Sequence, residues 1–211
     1  CAVLGGETAE MPGMYGNDFD LVGVITGMVE KDKLITGEKI RPGYAAIGIK
    51  SNGLHTNGYS LARKIVFDEC KLGVHDVVPE LGESIGEALL KPHICYWPAI
   101  RQALADGISL DGIAHITGGG LYDNVPRILP GDVDVVFESS EISAPPIFKF
   151  LVEKGNVGKE EAFRVFNMGV GMVWFVPSGE ASKAVDLINS CGYESRVIGE
   201  VVSGSGKVHV N

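Results

Sequence analysis

The chain has 211 residues, of which 45% are hydrophobic and 21% are charged, and its formal net charge at pH 7 is −9. These values are typical of a globular protein with one large domain, or one domain and part of another. The acidic balance argues against a general nucleic-acid-binding protein, which would present a basic face. No apolar run approaches the ~18 residues of a membrane span. The start lacks the basic-then-apolar pattern of a signal peptide, so we expect a cytoplasmic protein.

The alternation of apolar and polar residues predicts a mixture of strands and helices. Strands are predicted at 19–30, 44–49, 112–116, 133–137, 170–176 and, as the last element, 194–202. Helices are predicted at 60–69, 84–90, 96–106, 122–128, 146–154, 159–166 and 179–190. This mixture favours an α+β or α/β fold over a bundle or a sandwich. The polar, turn-rich stretch 31–42 marks a domain boundary near Lys33.

Glycine is unusually frequent, with 29 residues or about twice the average share of ~7%. Gly118, Gly119 and Gly120 are consecutive, and they follow a short apolar stretch and Thr117. Three adjacent glycines cost backbone entropy, and a common reason for them is close approach of backbone N–H groups to a phosphate. Arg127 follows nearby and is a candidate partner for an anion. A flexible corner is the alternative interpretation.

A second polar glycine loop, residues 51–60, follows a predicted buried strand. The candidates there for a ligand-binding turn are Ser51, Asn52, Gly53 and Asn57. His55 is a candidate for proton transfer because its ordinary pKa is near neutral. The alternative is an Asn- and Gly-rich turn in which His55 only makes local hydrogen bonds.

Two further loops complete the set. Asn167 precedes Gly169 in the third loop, where an ordinary turn is the alternative to ligand binding. In the fourth, residues 5–13, Glu7 and Glu10 flank Thr8 and are candidates for binding a cation such as Mg²⁺, although a solvated acidic turn has the same composition. His75, His93 and His209 show no constellation and are expected to be structural or exposed. None of the four cysteines forms a CxxC pair, and we expect them to be free thiols.

These loops, in this order, resemble the phosphoribosylformylglycinamidine cyclo-ligases, also called aminoimidazole ribonucleotide synthetases. The matching runs are GGETAEMPGMY (5–15), SNGLHTNGYSLARKI (51–65), HITGGGLYDNVPRILP (115–130), FNMGVGM (166–172) and VIGEV (197–201). The chain departs from the family pattern at residues 91–96, where His93 and Cys95 differ from the usual Pro-Thr-Arg-Ile-Tyr run.

The resemblance implies a two-domain enzyme. Residues 1–32 would be the end of a ferredoxin-like, ATP-binding N-terminal domain, and residues 33–211 a C-terminal α/β domain. The chain would then be part of a longer protein, a homodimer when intact. The implied reaction closes the imidazole ring of a ribonucleotide, with ATP and Mg²⁺ as co-substrate and cofactor. His55 and Asn57 would be catalytic, Glu7, Thr8 and Glu10 would serve ATP and metal, and the remaining candidates would bind substrate phosphate.

Two alternatives stay open at this point. One is another ATP-using member of the same superfamily, such as a selenophosphate synthetase or a thiamin-monophosphate kinase. The other is a non-catalytic binding or dimerisation module. Neither a membrane nor a nucleic acid is an expected partner.

Overall fold

The computed structural model describes residues 23–211. The chain divides into two compact units, Cys1–Leu34 and Ile35–Asn211. Of the first, residues 23–30 carry no regular structure, and a single 3₁₀ turn follows at Lys31–Lys33. The predicted strand over 19–30 is therefore wrong for residues 23–30, and its first four residues lie outside the described part. Gly23 and Gly27 interrupt this segment, and glycines weaken a strand. The β-branched residues alone therefore overstated its tendency to form one.

The second unit is built on a six-stranded sheet with strand order β4-β6-β1-β7-β5-β8. Neighbouring strands are antiparallel except for the pair β5 and β8. The strands are β1 (Tyr44–Lys50), β4 (Gly112–His115), β5 (Val133–Phe137), β6 (Val170–Pro177), β7 (Ser195–Ser203) and β8 (Val208–Val210), while β2 (Val77–Val78) and β3 (Glu83–Ser84) form a separate hairpin.

Seven α-helices lie between these strands. They are α1 (Tyr59–Arg63), α2 (Ile85–Leu89), α3 (Trp97–Ala105), α4 (Gly120–Asn124), α5 (Pro146–Lys154), α6 (Lys159–Val165) and α7 (Ala181–Ser190). A π-helical segment, Lys64–Glu69, continues α1, and a 3₁₀ turn, Val125–Ile128, continues α4. The mixed fold is as predicted. β8 and the β2–β3 hairpin were not, because each strand is only two or three residues long.

Both faces of the central strands β1 and β6 are covered, which explains their nearly continuous apolar sequences. On one face Ala46 and Phe175 pack with residues from α4 and α6. On the other face Ile47 and Trp174 pack with α3 and α7. A third apolar cluster includes Leu54, from the loop that follows β1. The buried Leu54 side chain therefore anchors the start of that loop in the core.

Candidate functional site

The loop after β1, residues 51–60, is held by Asn167 from a distant part of the sequence. The Asn167 Oδ1 accepts hydrogen bonds from the Ser51 hydroxyl at 2.7 Å and from the Gly169 N–H at 2.9 Å. Its Nδ2 donates to the carbonyls of Gly53 at 2.8 Å and Leu54 at 3.2 Å. The side chain is 2% exposed, and each of its four hydrogen-bonding positions is occupied within the chain. Asn167 and Ser51 thus support the loop from inside.

His55 lies at the bend of this loop in a strained backbone conformation. His55 and Thr56 have φ values of 53° and 69°, a left-handed pair that is uncommon for residues other than glycine. Such strain occurs preferentially at functional sites. The His55 Nε2 lies 2.8 Å from the Asn52 Oδ1. Among the described residues, Nδ1 is a buried atom without a hydrogen-bond partner.

The environment of His55 favours its neutral form. The ring is 1% exposed, stacks on His93 with centroids 4.2 Å apart, and lies 6.1 Å from the ring of Tyr96. Burial, followed by the neighbouring imidazoles of His93 and His115, lowers the pKa of His55 to about 4. The imidazole is therefore neutral at neutral pH. The His93 ring covers one face of this imidazole.

The rings of His55 and Tyr96 require a glycine on strand β6. Gly171 lies on β6, and a Cβ placed there would stand 1.9 Å from the Tyr96 hydroxyl and 3.1 Å from a carbon of the His55 ring. The Tyr96 hydroxyl donates to the Lys50 carbonyl at 2.9 Å, and burial raises the pKa of Tyr96. Gly171 thus makes room for the two rings beneath the loop.

The triple-glycine segment is organised by Asn124, at the end of α4. Its Nδ2 donates to the carbonyls of Thr117 (3.3 Å), Gly118 (3.1 Å) and Gly120 (2.8 Å), and its Oδ1 accepts from the Thr117 hydroxyl at 2.9 Å. Asn124 is 4% exposed. Sequence reasoning missed this residue. The available signal was an Asn four positions after the last glycine, within the same short helix.

The three glycines have different structural roles. Gly119 and Gly120 have φ values of 94° and 58°, and a Cβ on Gly120 would stand 1.9 Å from the Phe163 carbonyl oxygen. These two glycines are required by the chain path and by packing against α6. Gly118 is exposed, its φ lies outside the left-handed region, and there is space beside it for a side chain. Its added Cβ would lie 3.5 Å from the Asn57 Oδ1, so the two candidate loops meet at Gly118 and Asn57.

The remaining predicted residues are not joined to this meeting point. Arg127 lies in the 3₁₀ turn after α4 with its side chain exposed. Arg164 of α6 is a cation beside the glycine loop, and it donates a hydrogen bond of 2.9 Å to the Asp123 carboxylate. Glu7, Thr8 and Glu10 lie outside the described residues.

Two adjacent cavities open at the end of β1, where sequence reasoning placed none. Their volumes are about 310 and 330 Å³, and both are lined by Lys50, Tyr193 and Glu194. Lys50 Nζ and Glu194 Oε2 form an ion pair of 2.7 Å in their shared wall. The second cavity also includes Ser51 and Asn52. His55, Asn57 and the triple glycine line neither cavity.

The fold and this gathering of loops define a mixed α/β domain with glycine-rich, asparagine-braced turns around its central strand. Residues 41–211 match the family model described as AIR synthase related protein, C-terminal domain. The chain belongs to this family.

Comparison with individual proteins gives close relatives of greater length. The chain is 46% identical to a phosphoribosylformylglycinamidine cyclo-ligase of Alkaliphilus oremlandii over 98% of its own length and 61% of that protein. It is also 46% identical to the enzyme of the same name from Geobacillus kaustophilus, over 98% of this chain and 60% of the relative. The chain thus spans about three fifths of the length of these relatives.

Solved structures share the fold at low identity. Thiamine-monophosphate kinase from Stenotrophomonas maltophilia matches with a TM-score of 0.60 and 15% identity, covering 87% of this chain and 54% of that protein. The hydrogenase maturation protein HypE in complex with ATP matches with a TM-score of 0.58 and 13% identity, over 86% of this chain and 51% of that protein. These likenesses establish the fold alone.

Proposed function

We propose that this chain is the C-terminal part of a phosphoribosylformylglycinamidine cyclo-ligase, and that the intact protein converts formylglycinamidine ribonucleotide and ATP to aminoimidazole ribonucleotide, ADP and phosphate. The observation that carries the proposal is the 46% identity to proteins of that name over nearly the whole chain. The likenesses to the thiamine-monophosphate kinase and to HypE are at only 13–15% identity, so they give no support to a different activity for this chain.

The proposed reaction has two steps. The formyl oxygen of the substrate attacks the γ-phosphorus of ATP, and ADP leaves. The amidine-derived nitrogen then attacks the activated carbon, the C–O bond breaks, and inorganic phosphate leaves as the ring closes. Both steps depend mainly on positioning and on neutralising charge. Mg²⁺ would screen the ATP phosphates. Its candidate ligands Glu7 and Glu10, with Thr8, lie outside the described residues.

The meeting point of the two loops is the proposed substrate-binding region of this domain. Gly118 is exposed and faces Asn57, while Asn124 holds the carbonyls of the glycine segment inward. That arrangement leaves the exposed surface at Gly118 available to a phosphate, whereas Gly120 is buried and its N–H donates to the Thr117 carbonyl. Ser51, Gly53 and Asn167 contribute by fixing the neighbouring loop. Arg127 would contribute only through a side-chain movement toward the ligand.

His55 is the proposed residue for polarising, or exchanging a proton with, the reacting group. Its support is the buried Nδ1 that lacks a partner among the described residues, together with the strained backbone at residues 55 and 56. The His93 ring stacks on one face of His55, and we expect substrate binding to change that stack.

The proposed setting is a homodimer in the cytoplasm, as the family resemblance implies. In residues 23–211 no helix has the length and apolar character needed to cross a membrane.

The experiment that tests the function is a coupled ADP-release assay on the full-length protein. Formylglycinamidine ribonucleotide should trigger ADP release with formation of aminoimidazole ribonucleotide. Thiamine phosphate and selenide serve as control substrates. ADP release with either control, and none with the ribonucleotide, would replace the proposal with one of the other superfamily activities. No turnover of any substrate by a folded full-length protein would favour a non-catalytic module.

A further inference from the structure

We propose that His93 and His115 form a two-histidine binding site for a transition-metal ion of the Zn²⁺, Ni²⁺ or Cu²⁺ class. His93 lies between α2 and α3, and His115 is the last residue of β4. Their Nε2 atoms are 3.1 Å apart, and both residues are exposed. Two imidazole nitrogens from separate elements thus converge on one surface position.

The separation of these nitrogens suits a shared metal ion. Zn²⁺ binds imidazole nitrogen at about 2.0–2.1 Å, so two such ligands subtending about 90–109° lie about 2.8–3.4 Å apart. The observed 3.1 Å falls within that interval. Imidazole suits Zn²⁺, Ni²⁺ and Cu²⁺, whereas Mg²⁺ and Ca²⁺ prefer oxygen ligands. The site therefore selects a different class of ion from the Mg²⁺ that accompanies ATP.

The His93 ring is also in contact with a second ring. It stacks on the buried His55 ring with an interplanar angle of 22°. The preceding residue, Pro92, accepts a hydrogen bond of 3.0 Å from the Asn52 side chain at its carbonyl. Neighbouring groups that orient a ligating imidazole strengthen metal binding.

An N–H···N hydrogen bond between two neutral imidazoles is the alternative explanation of the same distance. That bond needs a proton on one Nε2, which a metal ion would replace. No cluster of three or more His, Cys, Asp or Glu residues suited to a metal occurs within residues 23–211. Water would therefore complete the coordination, giving an open site of moderate affinity rather than a closed structural one.

Metal binding at this position would join the two candidate loops. His115 lies two residues before Thr117, and His93 covers His55. An ion held by both imidazoles would tie the 91–95 segment to the end of β4 and keep the cover over His55 closed. We expect it to raise the thermal midpoint, because a ligand that binds only the folded state stabilises that state.

The test is titration of the metal-free 211-residue chain with Zn²⁺, using a chromophoric competitor, and with Cu²⁺, followed by electron paramagnetic resonance. We expect one Zn²⁺ per chain and nitrogen coupling from two imidazoles. His93→Gln and His115→Gln should each weaken binding at least tenfold. Glutamine keeps a hydrogen-bonding side chain of similar reach, so these variants separate a hydrogen-bonded pair from a metal site. His75→Gln, at an exposed position in another segment, is the matched control.

Four results would overturn the proposal. Unchanged Zn²⁺ binding in both glutamine variants would assign the metal to other residues, and an equal loss in the His75→Gln control would show nonspecific binding. No binding to the folded wild-type chain would leave only the hydrogen-bonded pair. Cys95→Ser tests whether the Cys95 thiolate is the ligand. If this variant loses Zn²⁺ binding while both histidine variants keep it, the metal is bound by Cys95 and not by the two histidines. Circular dichroism of each variant checks that it is folded.

Discussion

Asn167 and Ser51 are 116 residues apart in sequence, yet the Ser51 hydroxyl donates to the Asn167 Oδ1 at 2.7 Å inside the domain. Through this bond and three others, one carboxamide joins the start of β6 to the loop after β1. The loop that carries His55 and Asn57 is thereby fixed from inside the domain. Asn167 and Ser51 therefore have a supporting role, whereas the proposed roles of His55 and Asn57 are in binding and catalysis.

Asn167→Ala should destabilise the chain markedly. The substitution leaves the buried Gly53 and Leu54 carbonyls without their donors, and each unsatisfied buried group costs about 1–3 kcal/mol. Urea unfolding followed by circular dichroism should show a lower midpoint. Ser182→Ala, at an exposed position of α7 outside this network, is the control. A loss no larger than the control's would mean that the four bonds contribute little.

The sequence predicted most strands and helices because their apolar periodicity is strong. β1 and β6, for example, have nearly uninterrupted apolar runs that match their burial on both faces. The predicted strand over 19–30 failed at residues 23–30 because composition alone does not reveal what a strand pairs with. The site was predicted as a set of loops, and Asn57 and Gly118 do meet. The stack of His55 on His93 and the bonds of Asn124 were missed, since both arise from long-range or turn geometry that periodicity does not encode.

Gly118→Ala and Gly120→Ala should separate ligand binding from folding. In the full-length enzyme, Gly118→Ala should raise the KM for the phosphorylated substrate, because the added methyl group occupies the proposed phosphate position. The melting temperature should change little, since the new Cβ would meet the Asn57 Oδ1 at an ordinary contact distance of 3.5 Å. Gly120→Ala should lower stability by more than the ~1–3 kcal/mol of left-handed strain, because its Cβ would also collide with the Phe163 carbonyl. Steady-state kinetics and thermal melts check both. A normal KM in Gly118→Ala would show that this loop does not bind the substrate phosphate.

His55→Gln in the full-length enzyme should lower kcat by ~10²–10⁴-fold, the usual contribution of a general acid or base. Glutamine fills much of the space and can still reach Asn52, so folding should suffer less than with alanine. Tyr96→Phe is the packing control, since it removes the hydroxyl bonded to the Lys50 carbonyl beside the same ring. Single-turnover kinetics with saturating ATP measures the chemical step. Near-normal kcat in His55→Gln would give His55 a purely structural role.

The pH dependence of stability should contain a contribution from Asp134, on β5. Hydrogen bonds from His209 and from the backbone N–H groups of Ser205 and Lys207 lower the pKa of its carboxyl well below the usual range. A folded-state pKa below the unfolded value means that the stabilisation is complete above the unfolded pKa, ~3.9. It is then lost as the pH falls through the folded-state value. The native turn before β8 should therefore weaken below about pH 4.

Asp134→Asn removes the charge and should flatten this acid-side loss of stability, while lowering stability at neutral pH. Asp132→Asn is the matched control: Asp132 is exposed two residues earlier, and its carboxylate makes no hydrogen bond within residues 23–211. Urea midpoints measured from pH 7 to pH 2 compare the three proteins. Asp132→Asn should follow the wild-type curve, because it makes the same change in net charge without touching the turn. Parallel curves for wild type and Asp134→Asn would mean that Asp134 titrates alike in the folded and unfolded chains, and that its hydrogen bonds to the turn add no charge-dependent stability.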